Sequence, residues 1–217
     1  MNALLPLSAL IDRINDRIGQ LIRWFVLAAV LISALNAIVR KTFNISSNAF
    51  LEVQWYLFAG VFMLGAGYAF LRNVHVRIDF ISSKLSKRTN AIIDSLGIVV
   101  FLIPLCLILI TLSWPFFVNA WNSGEMSQNA GGLIRWPAYL LIPVGFSILL
   151  AQGISELIKR IAFLQGAIPE PFSVEQHKSD EELLAEELAA EAEKHERELA
   201  AAQGAAGATS NNNTQGR

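Results

Sequence analysis

Arg72, His75, Arg77 and Asp79 fall within eight residues, directly after a long apolar run. Two fixed cations, an imidazole and a carboxylate at that spacing can bind lipid phosphates, pair with one another, or bond the carbonyls of a neighbouring protein. Glu52, Gln54 and Trp55 open the same run, and Ser33 and Asn36 lie three apart in the run before it. Polar side chains at membrane depth have no water to bond, so they are expected to face another helix. All of these are candidate helix-end or partner-contact residues.

Other chemistry is missing. There is no Walker A loop, and Gly65-Ala66-Gly67 sits inside an apolar helix rather than in a nucleotide loop. His75, His177 and His195 lack helical ligand spacing, so neither a metal nor a cofactor is expected. Cys106 stands alone in an apolar run, which excludes a disulfide framework within one chain and reads as a small buried hydrophobe. No Ser/His/Asp or Cys/His grouping offers a nucleophile, so no catalytic residue and no enzyme are expected. A self-sufficient transporter needs paired repeats and broken helices at the midplane. Here the ionisable residues Arg23, Glu52, Asp94 and Glu156 sit at helix ends, where structural pairing is expected. Arg40 or Arg135 would serve Glu52; Arg72 and Lys159 would serve Asp94 and Glu156.

The elements that carry these residues are membrane helices. The chain has 217 residues, 53% of them hydrophobic, with a mean hydropathy of +0.44. The apolar residues come in blocks rather than alternating. Residues 49–71 would make a helix of roughly 34 Å, enough for a hydrocarbon core of about 30 Å. The spacing predicts an all-α bundle of four transmembrane helices at about 21–39, 49–71, 91–117 and 137–157, forming a membrane domain over 21–165. Residues 1–20 put Leu7, Leu10, Ile11, Ile14 and Ile18 on one face and Asp12, Arg13, Asn15, Asp16 and Arg17 opposite. That pattern predicts an amphipathic helix lying in the membrane interface. Gly60, Gly65, Gly67 and Ala69 offer small surfaces for close helix packing, and Pro104 and Pro115 predict a kinked third crossing. Trp114, Trp121, Trp136 and Tyr139 bracket a polar segment at a membrane–water boundary. Residues 166–217 form an acidic tail, helical and then disordered, with 4 Lys/Arg against 11 Asp/Glu.

Four crossings put both termini on one side. With that side inside, inner segments hold ten Lys/Arg and outer segments hold Arg40, Lys41 and Arg135. The positive-inside rule therefore predicts cytoplasmic termini.

The segments EVQWYLFAGVFMLGAGYAFLRNVHVRIDF, SWPF, NAGGLIRWPAYLLIPVGF and QGISELIKR resemble the small permease (Q-type) subunit of tripartite ATP-independent periplasmic (TRAP) transporters. The resemblance covers about residues 15–165, and Arg72–Asp79 is its most specific part. It implies a bacterial inner-membrane protein that scaffolds a large permease subunit, with a periplasmic solute-binding protein delivering the solute. It further implies sodium-gradient-driven uptake of an organic acid or related solute. Membrane lipids are the remaining expected partner, and no nucleic acid is expected. From the residues alone, a four-helix membrane anchor of another complex stays open.

Overall fold

The computed structural model describes residues 4–44, 47–72, 85–168 and 188. His75, Arg77, Asp79 and nearly all of the tail lie outside the described residues. Residues 1–171 and 172–217 are separate compact units; the four helices belong to the first.

Those helices are α1 (Leu5–Phe43), α2 (Asn48–Leu71), α3 (Lys87–Ser123) and α4 (Trp136–Leu164), each long and apolar enough to cross a membrane. Local chemistry sets their ends. Pro6 and Pro137 occupy first turns, where a missing N–H costs nothing. Ser86 caps α3 by accepting from the Thr89 amide at 3.1 Å. Asn44 and Gly124 end α1 and α3 in the left-handed conformation. Inside α3, residues Ile98–Leu102 form a π-helical turn, and the Ile103 amide bonds the Ile98 carbonyl. Pro104 explains the turn: it has no N–H to offer the Val100 carbonyl, so the ladder shifts register by one residue.

α4 is the central helix, packed against α1, α2 and α3. The interior is small and polar rather than oily. The largest fully buried side chains are Gln152, Asn15, Cys106 and Ser155, while Trp24, Phe58, Phe62 and Phe101 point outward. A bundle bathed in lipid gains nothing by hiding leucine; it gains by close contact and interhelical hydrogen bonds. Glycines supply the contact. A Cβ on Gly60 would stand 3.2 Å from the Phe25 ring of α1, and one on Gly67 2.8 Å from Ile148 of α4. The small face of α2 thus packs α1 and α4.

α1 departs from the expected division at residue 20. It is one unbroken helix through that point, and Ser8, Asp12 and Asn15 turn toward α4 while Leu7, Leu10, Ile14, Arg13 and Arg17 turn outward. The interfacial arrangement would leave Ser8 and Asn15 to water. Here they find hydrogen bonds on another helix.

Candidate functional site

Three arrangements concentrate the polar side chains. The first joins α1, α3 and α4 at the end where Arg72 closes α2. α4 carries Gln152, Ser155, Glu156 and Lys159 at helical spacing, and α1 carries Ser8, Asp12 and Asn15 likewise. Two antiparallel polar stripes therefore meet face to face. Ser155 Oγ lies 2.9 Å from Ser8 Oγ and donates to Asp12 Oδ1 at 2.7 Å. Gln152 Nε2 donates to Asp12 at 3.0 Å and to Glu156 at 3.2 Å. Those two bonds fix the amide orientation, leaving Gln152 Oε1 to accept from Asn15 Nδ2 at 2.8 Å. Asn15 Oδ1 is consequently turned onto Gly67, where the lack of a side chain admits it.

The charges close the same network. Lys159 Nζ pairs with Asp12 at 3.0 Å and with Glu156. Arg160 bridges Glu156 at 2.9 Å and Asp94 of α3 at 3.2 Å. Asp94 was expected to find Arg72 or Lys159. Arg72 instead pairs with Asp16 of α1 and lies over the Tyr68 ring, 5.5 Å from its centroid. The bond to Asp16 raises the Arg72 guanidinium above its ordinary range.

The second arrangement lies at the opposite end and is organised by Glu52. Its carboxylate accepts from the Ser127 hydroxyl, from Asn129 Nδ2 at 2.8 Å and from the Leu133 amide at 2.6 Å. The clamped segment, 124–135, doubles back through an antiparallel bridge between Met126 and Ile134. Asn48 Nδ2 bonds the Ala130 carbonyl at 2.9 Å and Tyr56 the Ile134 carbonyl at 3.2 Å, so α2 holds the loop along its length. The expected pairing of Glu52 with Arg40 or Arg135 is not what forms. Arg135 pairs with Glu125 at 2.7 Å, which raises its guanidinium, and Glu52 satisfies neutral donors instead. The Trp121 and Trp136 rings pack edge to face at 4.7 Å beside this loop. Glu52→Ala is expected to release the loop: amide exchange at Leu133 should rise by an order of magnitude or more while the helices keep their protection. Unchanged exchange at Leu133 would show that the bridge alone holds the loop.

The third arrangement is a groove of about 900 Å³ between α1 and α2, lined by Val26, Ser33, Ala34, Gln54, Trp55 and Phe58 among others. Three candidate residues thus share one surface, and Asn36 lies half-buried one turn further along α1. Trp55 is 75% exposed. Among the described residues, Ser33, Asn36 and Gln54 make no side-chain hydrogen bond. Glu52 and Arg72, by contrast, are engaged by other parts of the chain at opposite ends of α2.

Sequence reasoning missed Asp12, Asn15, Gln152, Ser155 and Arg160 as a working unit. The signal was present as the period of polar residues in α4, which a search for buried rather than solvated stripes finds.

An all-α bundle of four membrane-length helices, with its polar networks gathered at both ends, defines a multi-pass membrane subunit. Residues 29–163 match the family model described as tripartite ATP-independent periplasmic transporters, DctQ component. A Haemophilus influenzae protein, provisionally named as a TRAP transporter small permease, is 30% identical over 124 residues, spanning 57% of this chain and 76% of that protein. No solved structure matches the chain. The chain belongs to the DctQ-component family, the small permease subunits of TRAP transporters. It is accordingly a multi-pass protein of the inner membrane and a transporter component, and family membership implies a complex with a large permease and a binding protein.

Proposed function

We propose that this subunit scaffolds the large permease and carries no transport step itself. The large permease takes up an organic acid or related solute, driven by a sodium gradient, after a periplasmic protein delivers it. Both termini and the Arg72 end are cytoplasmic, and the Glu52-clamped loop is periplasmic. The observation that carries this proposal is the α1–α2 groove. Ser33 and Gln54 stand there with hydrogen-bonding capacity that lipid cannot satisfy, beside a fully presented Trp55. A helix of the large permease laid in the groove satisfies both.

Co-purification with the large permease tests it. Gln54→Leu should weaken association about 3- to 20-fold, the equivalent of roughly 0.6–1.7 kcal/mol for an interhelical hydrogen bond in lipid. Ala34→Trp, which fills the groove, should abolish it. In proteoliposomes the subunit alone should move no solute, and uptake should appear when the large permease is added. Sodium-dependent uptake by this chain alone overturns the proposal.

A further inference from the structure

α3 carries Pro104 and Pro115 where a helix needs amide donors. Proline has no N–H, so each frees a carbonyl of the preceding turn. At Pro115 the carbonyl is that of Thr111, four residues back. At Pro104 the π-helical turn decides which one is freed. The Ile103 amide, the ordinary partner of the Val99 carbonyl, bonds Ile98 instead. The next donor along the shifted ladder would be Pro104 itself, so Val99 is left over. The hydroxyls of the helix go elsewhere: Ser95 to Ala91, Thr111 to Leu107 and Ile108, Ser113 to Leu109 and Ile110.

Both freed carbonyls open on one flank. α3 packs against α4, and its buried residues there are Ile98, Cys106, Ser113 and Ala120. Pro104 and Pro115 are exposed and stand eleven residues, about three turns, apart on the opposite side. Val99 and Val100 beside the first carbonyl are 48% and 49% exposed, and Leu112 beside the second is 61% exposed. Residues 95–124 include no Asp, Glu, Lys, Arg or His. Val99 is five residues from Asp94, nearer the inner end. Thr111 lies deeper, about 12 Å of helix from Asn119 and about 26 Å from Asp94. Lipid tails supply no donor at that depth, and an unpaired carbonyl there is costly.

The occupant of this flank therefore has to bring donors. A second copy of the chain laid face to face brings Val100, Leu107, Ile108 and Leu112, which have none, and a Thr111 hydroxyl that is already engaged. A donor-bearing helix of a different chain fits, and the membrane partner that family membership implies is the large permease. We propose that a transmembrane helix of the large permease lies along this flank of α3 and donates hydroxyl or amide hydrogen bonds, about 18 Å apart, to the Val99 and Thr111 carbonyls. This rests on the scaffold function above and uses a surface separate from the groove.

Pro104→Ala and Pro115→Ala each return the missing N–H, so the carbonyl is satisfied from within the helix. Each purified subunit should melt above the parent. Each should also co-purify with the large permease about three- to twentyfold less well, the loss of one interhelical hydrogen bond in lipid. A purely local role for the prolines gives the first result without the second. Ile108, 55% exposed between the two carbonyls, is replaced by p-benzoylphenylalanine in the co-expressed complex and irradiated in native membranes; the adducts should be with the large permease. Unchanged co-purification of both proline variants, or lower melting temperatures for both, overturns the proposal. So do adducts of position 108 with lipid alone or with a second copy of this chain. If the complex still forms in those cases, scaffolding by the groove stands and the α3 flank alone is refuted. If the parent chain forms no complex, both proposals fall.

Discussion

Arg160→Leu is expected to lower the melting temperature of the purified subunit by on the order of 10 °C. The Arg160 and Glu156 side chains are 5% and 6% exposed, so solvent does little to screen them. Lys159 pairs with Asp12 and Glu156, and Arg160 pairs with Glu156 and Asp94. Removing Arg160 takes its cation away from the buried Glu156 carboxylate and removes the ionic bridge from α4 to α3. Breaking one partner out of a buried network costs about 3–5 kcal/mol, because a desolvated charge stays behind. Glu156→Gln removes the carboxylate charge but keeps an oxygen for Lys159 or Arg160. Its cost should be nearer 1 kcal/mol, that of one hydrogen bond. Thermal unfolding of both variants in the same detergent measures the contrast. Equal shifts would mean that the cluster is solvated and that which charge is removed does not matter.

That asymmetry was hard to see in the sequence, whereas the four spans were plain. Span length and hydropathy are local properties, and bilayer thickness converts them into helices without knowledge of any neighbour. Which face of a helix turns inward is a different matter. The rule that polar residues face water placed Asp12 and Asn15 outward, because it weighs a helix alone. In the bundle, Gln152 and Ser155 offer those residues better hydrogen bonds than an interface would, and the face reverses. Glu52 failed for a related reason. A charge seeks a countercharge in a sequence search, but its partners here are a hydroxyl, an amide and a backbone N–H 75 to 81 residues away. Nothing local marks Ser127, Asn129 or Leu133 for that task. Ser33, Gln54 and Trp55 can be singled out from the sequence because what marks them, polarity or amphipathic bulk within an apolar run, needs no neighbour to be recognised.

Two glycine-to-alanine changes should shift stability in opposite directions. At Gly145 an added Cβ would stand 2.6 Å from the Met63 carbonyl oxygen and 2.8 Å from Met63 Cβ. The oxygen belongs to the backbone of α2, so no rotamer change relieves the clash; the whole of α2 must move away from α4. Overpacking of that kind costs about 1–3 kcal/mol, and the displaced helix also carries the Glu52 clamp and one wall of the groove. Gly97 has nothing within 4 Å of the same added atom, and its backbone is helical at φ −58° and ψ −43°. There alanine only restricts the unfolded chain and should stabilise by up to about 1 kcal/mol. Gly145→Ala should therefore melt several degrees below the parent and Gly97→Ala slightly above it, a difference whose sign intrinsic helix propensity alone cannot produce. If Gly145→Ala melts at or above the parent temperature, α2 and α4 do not approach as closely as the Met63 contact requires.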